Sequence, residues 1–259
     1  IDTKRVINLA MEAGRMLLKN GGEIFRVEET IKRICGRFHV NHVDIFSMSH
    51  GIFVSAENEN GEAYTKVNHV PLSSSHLGIV AEVNELSREI SAGRVKLEEA
   101  EERLEKIEKI PPKKRWFQYM AAGLASGTFA LMLGSSVLEA VAAFLIGFLS
   151  YVWVLFAGKH NLSKIIVNIV GGVIMTVLAL AFMHIPFLPI LKLDGMMVGA
   201  IMPMIPGVAF VNAIRDIADT DFLSGLVRMI DALLVFVYIA IGVGVTLSIY
   251  NTMMGGILR

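Results

Sequence analysis

The stretch Lys109–Tyr119, KIPPKKRWFQY, divides this 259-residue chain into two parts of different composition. Two prolines end a charged helical pattern, three consecutive cations follow, and aromatic residues come next. Cations beside tryptophan and tyrosine are typical of the cytoplasmic boundary of a membrane. The stretch therefore predicts a cytoplasmic domain at 1–115 and a membrane domain at 116–259.

Charged residues are unequally distributed across this boundary. Residues 1–115 hold 18 of the 24 lysines and arginines and 18 of the 24 aspartates and glutamates, and 54% of the whole chain is hydrophobic. Because the two signs balance, the chain lacks the positive excess that would favour nucleic acid. We expect a multi-pass protein in a lipid bilayer, without a nucleic-acid partner.

The first part has the patterns of an α+β domain. Apolar residues recur at helical spacing over 4–19, 23–38, 76–91 and 97–109. Between the second and third of these lie β-branched and aromatic runs at 42–48, 51–57 and 63–70, and Asn60-Gly61 favours a hairpin turn between the last two. These patterns predict a small antiparallel sheet beside helices.

The second part predicts an all-α membrane domain of five transmembrane helices. A spanning helix needs about 20 apolar residues, and such runs occur roughly at 117–137, 139–157, 165–185, 193–213 and 229–250. Basic residues at 113–115, 159, 164, 215 and 228 lie between alternate spans. By the positive-inside rule, the N-terminal domain is expected in the cytoplasm and Arg259 outside.

The fourth span contains the segment Pro203-Met204-Ile205-Pro206-Gly207. Two prolines remove two backbone donors, so we expect the helix to break there. A broken helix in a membrane exposes backbone polar groups and offers a helix N-terminus that favours an anion, and transporters bind substrates at such breaks. A proline kink that only shapes packing is the simpler interpretation.

Polar residues follow the break on one helix face. Asn212, Asp216 and Asp219 are spaced at i, i+4 and i+7, and Arg215 is close enough to pair with Asp219. Arg228 and Asp231 lie at i,i+3 where the fifth span begins. An acid at this depth costs several kcal/mol unless it is paired, hydrated or protonated, so Asp231 is a candidate for proton coupling. The two arginines also suit a purely anchoring role.

These residues resemble the threonine/serine exporter family (ThrE), in a short form like the YjjP large subunit of a two-component exporter. In the first part the resemblance rests on Gly14, Gly21–Thr30 and Gly51–Ser55. In the second part it rests on Pro206-Gly207, Asn212, Arg215-Asp216, Asp221, Ser224-Gly225 and Arg228. The chain departs from the family pattern at Thr220, where glycine is usual.

The resemblance implies a cytoplasmic N-terminal domain, five spans and proton-driven export of small amino acids or dicarboxylates across a bacterial inner membrane. It also implies a smaller YjjB-like membrane subunit as partner. No cofactor and no metal are expected, because the sequence contains no phosphate loop and no metal-ligand quartet.

Our leading hypothesis is a secondary-exporter subunit for threonine and serine or for dicarboxylates such as succinate, and not an enzyme. Arg215 or Arg228 would neutralise a substrate carboxylate, and Asp216 or Asp231 would take a proton or the substrate ammonium. Two alternatives stay open. One is a membrane-anchored enzyme with a site around Glu23, Arg26 and Glu28, and the other is a regulatory scaffold whose partner carries transport. The predicted substrate-binding or coupling residues are Pro203, Pro206, Gly207, Asn212, Arg215, Asp216, Asp219, Arg228 and Asp231.

Overall fold

The computed structural model describes residues 2–57, 61–71, 75–186 and 191–254. The chain forms two compact units. We call Ile1–Pro112 together with Gly207–Ile230 the N-terminal unit, and Lys113–Pro206 together with Asp231–Arg259 the membrane unit. The N-terminal unit therefore includes the segment that follows the Pro-x-x-Pro-Gly motif.

Four helices of the N-terminal unit enclose most of its core: α1 (Thr3–Lys19), α2 (Ile24–Arg37), α3 (Leu77–Ser91) and α4 (Leu97–Glu108). Each buries the apolar face that its spacing predicts. Gly14 allows α1 and α2 to pack closely, because a Cβ there would lie 2.7 Å from the Cδ1 of Ile31. The result is a continuous apolar core beneath the start of α2.

The three predicted strands form one antiparallel sheet in the order β1-β2-β3, with β1 at Asn41–Met48, β2 at Gly51–Glu57 and β3 at Ala63–His69. Side chains alternate along β2, so Ile52, Val54 and Ala56 are buried in the core. The opposite face exposes a cross-strand row of Phe46, Phe53 and Val67. The predicted turn residue Asn60 lies outside the described residues.

Cys35 lies inside this core on α2 and is fully buried. Burial raises the pKa of its thiol to about 12. The thiol is therefore protonated at neutral pH, which suits a packing role and opposes a nucleophilic one.

The membrane unit contains α5 (Arg115–Met132), α6 (Val137–Lys159), α7 (Lys164–Met183) and α8 (Leu193–Ile201). The long helix α10 (Phe222–Met253) contributes residues 222–230 to the N-terminal unit and the rest to the membrane unit. Small residues bring α5 and α6 together: a Cβ on Gly127 would lie 3.0 Å from the carbonyl oxygen of Ala140. In this position the predicted small-xxx-small pair Gly123/Gly127 serves packing within the chain.

The prediction of five transmembrane helices is wrong. Among the described residues, three helices are long and apolar enough to cross a membrane, namely α6, α7 and α10. A fourth span exists only if the interrupted pair Leu193–Met204 and Gly207–Ala218 counts as one. The predicted span that is lost is α5, which starts with Arg115 and includes Gln118 and several glycine, serine and threonine residues, so it is less apolar than the others. The fold is thus mostly helical, with one small sheet and three or four candidate spans.

The helix break expected at the prolines is present. A 3-10 helix at Met202–Met204 follows α8, Ile205 is extended with φ −66° and ψ 128°, and α9 (Gly207–Ala218) begins after Pro206. Proline has no N–H to donate, and its ring favours an extended residue before it. The local sequence therefore explains why α9 starts as a new helix.

Candidate functional site

The turn between α9 and α10 positions most of the predicted polar residues. The N–H of Asp221 donates to the carbonyl of Asp216 at 2.8 Å, and the N–H of Thr220 donates to that of Ile217 at 3.1 Å. This is the bonding pattern of a Schellman motif, in which the residue at the Thr220 position is left-handed. Thr220 accordingly has a φ of +70°. The carboxylate of Asp221 then accepts from the N–H of Ser224 at 3.4 Å and caps α10, as predicted.

Replacing Thr220 with glycine is expected to raise the free energy of unfolding by about 1 kcal/mol, because a left-handed conformation is costly for a residue with a Cβ. This explains why glycine suits the position that threonine occupies here. Thermal unfolding of the purified chain in detergent measures the effect. Asn161→Gly is the matched control: Asn161 also has a positive φ, 52°, but asparagine tolerates it. An equal gain in both variants, or none for Thr220→Gly, would contradict the explanation.

Close packing of α9 on α10 depends on Gly225. A Cβ at this position would lie 2.9 Å from the carbonyl oxygen of Ala213 and 2.5 Å from the side chain of Ile217. Without a side chain at Gly225, the two helices approach closely enough for groups on α9 to reach Arg228 on α10.

A buried ion pair links the two helices. An Nη1 atom of Arg228 lies 3.1 Å from Oδ2 of Asp216, and only 6% and 2% of the respective side chains are exposed. Arg228 also donates through Nη2 to the carbonyl of Gly22 at 3.1 Å. The N–H of Ile24, the first residue of α2, points at Oδ1 of Asp216 at 3.4 Å. The carboxylate is therefore compensated by a guanidinium and by the positive end of a helix.

A second set of contacts joins α9 to the residues before α2. The amide of Asn212 donates to the carbonyl of Gly21 at 2.8 Å, and Arg215 pairs with Glu23. Glu23 also lies 3.3 Å from Arg26. Gly21 has a φ of +87°, and a Cβ there would come within 2.6 Å of the Ser75 hydroxyl. A residue other than glycine would thus disturb the turn that presents these carbonyls.

The structure brings together Asn212, Arg215, Asp216 and Arg228 but pairs them differently from the sequence expectation. Arg215 contacts Glu23 and not Asp219, which is exposed. Arg228 contacts Asp216 and not Asp231.

The remaining predicted residues lie elsewhere. Gly207 is the first residue of α9. Pro203, Pro206 and Asp231 belong to the membrane unit, where Asp231 pairs with Lys164 at 2.6 Å. Pairing is one of the three ways in which an acid at this depth becomes tolerable.

Sequence reasoning missed Gly21, Gly22 and Glu23 as partners of the polar face. Their signal is a Gly-Gly-Glu run directly before an amphipathic helix, which offers free carbonyls and an uncapped helix N-terminus. Nothing along the chain says which distant side chains use those groups.

Chemically, the pair suits a ligand that carries both charges. A guanidinium binds a carboxylate through two parallel hydrogen bonds, and a carboxylate accepts from an ammonium group. No group of three histidine, cysteine, aspartate or glutamate side chains suitable for a metal ion occurs among the described residues.

Comparison with known proteins agrees with the resemblance seen in the sequence. The profile of the threonine/serine exporter family, ThrE, matches residues 8–250. The threonine/serine exporter of Corynebacterium glutamicum is 24% identical over 249 residues, which are 94% of this chain and 51% of the relative. The chain thus spans about half the length of the curated relative it matches, and no solved structure gives a significant match. Because the family profile covers nearly the whole sequence, this chain belongs to the threonine/serine exporter family.

Proposed function

We propose that this chain is a membrane subunit of a secondary exporter that moves small carboxylate-bearing metabolites out of the bacterial cytoplasm, driven by the proton gradient. Family membership supports an exporter role. The observation that carries the proposal is the buried Asp216–Arg228 pair, held against the start of α2.

Energetics favour a functional reason for this pair. Burying two opposite charges contributes little net stability, because the cost of removing them from water offsets their attraction. An α-amino acid carries the same two charges. Its carboxylate would bind Arg228 and its ammonium Asp216, so each protein charge would exchange one partner for another.

The charges favour an amino acid, threonine or serine, over a dicarboxylate. A dicarboxylate needs two available cations, and Arg215, the second cation nearby, is already paired with Glu23. Succinate export would require that pair to open first.

Coupling is assigned to Asp216. When a substrate carboxylate binds Arg228, Asp216 loses its counter-charge and can take a proton or the substrate ammonium. Asp231 is the second candidate for coupling, although Lys164 already compensates its charge.

We further propose a cytoplasmic N-terminus and an outer C-terminus in the inner membrane. Three spanning helices, an odd number, support opposite sides for the two ends. A smaller YjjB-like membrane subunit, which the resemblance implies, is the proposed partner.

A regulatory role is the second candidate. The observation that favours it is the set of contacts from Asn212 and Arg215 to Gly21 and Glu23, which ties residues 207–230 to the N-terminal helices. In that case the partner alone would move solute, and this chain would change the rate.

The test is efflux from vesicles that contain this chain, the small subunit, or both. Vesicles loaded with labelled threonine, serine or succinate are diluted with and without a pH gradient. We expect pH-dependent efflux of threonine or serine only when both subunits are present. Efflux from the small subunit alone would favour the regulatory role, and no efflux from any combination would contradict the exporter proposal.

A further inference from the structure

A cleft of about 300 Å³ lies beside Asp216 within the N-terminal unit. The first turn of α2, strand β1 and the α9–α10 turn form its walls. We call it the acidic cleft, because every ionisable side chain that lines it is a carboxylate: Glu28, Asp216, Asp219 and Asp221. A negative ligand would meet only repulsion there.

Aromatic side chains line the same cleft. Phe25 and Phe46 are 58% and 59% exposed. The face of an aromatic ring attracts cations, and organic ammonium groups bind where such rings and carboxylates lie together. Together the two residue types indicate a positively charged organic ligand.

An unpartnered hydroxyl inside the cleft is an independent observation. Ser47 is 2% exposed, and its Oγ has no hydrogen-bond partner. Its N–H is used, since it donates to the carboxylate of Glu28 at 3.0 Å. Oδ2 of Asp216 also lacks a hydrogen bond, although it is ion-paired with Arg228. Buried oxygens without partners are costly, and a ligand with several N–H donors would satisfy them.

A metal ion fits this lining less well than an ammonium group. The carboxylates of the cleft do not form a group of three close enough to share an ion, in agreement with the search over all described residues. Metal coordination also gives no role to Phe25 and Phe46, whereas an alkylammonium uses both the rings and the oxygens.

We propose that the acidic cleft is a binding site for small organic ammonium compounds, with Asp216, Ser47 and Asp219 receiving the ammonium group and Phe25 and Phe46 flanking the carbon chain. The cleft has the size of a small-molecule site. This proposal goes beyond export, because binding there does not require that the ligand is the transported solute.

The experiment measures binding of three probes of equal size to the full chain in detergent, by calorimetry at pH 7. The probes are ethanolamine, which is cationic, ethylene glycol, which is neutral, and glycolate, which is anionic. We expect saturable binding of ethanolamine only. Asp219→Asn and Phe25→Ala, at exposed positions where folding is not at risk, should each weaken binding by about tenfold, which is the effect of a lost charge or ring contact. Ser47→Ala should weaken it as well.

Asp44→Asn is the matched control, since Asp44 is an exposed aspartate on the same strand as Ser47 and does not line the cleft. It should leave ethanolamine binding unchanged. Equal binding of ethylene glycol, no ethanolamine binding, or equal loss in Asp44→Asn and Asp219→Asn would each overturn the proposal. The outcome is separable from export: ethanolamine binding without any solute efflux would leave the cleft and remove the proposed transport role, and the reverse result would do the opposite.

Discussion

Replacing Asp216 with asparagine is expected to abolish solute efflux from vesicles that contain both subunits. The neutral amide cannot compensate Arg228 or accept a proton, so the proposed exchange of partners with the substrate is lost. Loss of a buried charge pair corresponds to about 3 kcal/mol or more, which is a reduction of about a hundredfold. Initial efflux rates per folded protein, with assembly checked by co-purification of the small subunit, measure the effect.

Asp44→Asn makes the same chemical change at an exposed position of the N-terminal unit and should transport normally. Normal efflux by Asp216→Asn would remove the central role assigned to this carboxylate. A chain that folds, binds its partner and fails to transport would support it.

Replacing Arg228 with alanine should cause the largest loss of stability of any single substitution at the site. It leaves the Asp216 carboxylate buried without its cation and removes the donor to the Gly22 carbonyl. Breaking one side of a buried pair costs about 3–5 kcal/mol. Denaturant titration of the purified chain in detergent measures the free energy of unfolding.

Arg215→Ala is the matched control, because Arg215 also pairs with a carboxylate near the start of α2 but is 51% exposed. Exposed pairs contribute about 1 kcal/mol or less. The double variant Asp216→Ala/Arg228→Ala should be more stable than Arg228→Ala alone, since it contains no uncompensated charge. If Arg228→Ala cost no more than Arg215→Ala, the buried pair would not be the compensated unit described here.

Local patterns predicted much of the fold. Helical spacing identified α1 to α4, and the β-branched runs identified all three strands, because these signals depend on neighbours a few residues apart. The two prolines predicted the start of α9 for the same reason.

The span count failed where a local signal was ambiguous. Residues 117–137 are apolar enough to suggest a span by inspection, but small and polar residues reduce the hydropathy of α5. The last helix begins at Phe222, ahead of the predicted start at 229, so its 32 residues include a part that belongs to the N-terminal unit.

The amino-acid sequence determined which side chains are chemically costly and which helix each occupies. Only the tertiary structure decided their partners. Helix spacing suggested Arg215 with Asp219 and Arg228 with Asp231, whereas folding placed Glu23 beside Arg215 and Asp216 beside Arg228. Spacing along a helix reports neighbours three or four residues away, but Gly22 and Arg228 are 206 residues apart and meet only because α1, α2, α9 and α10 pack together.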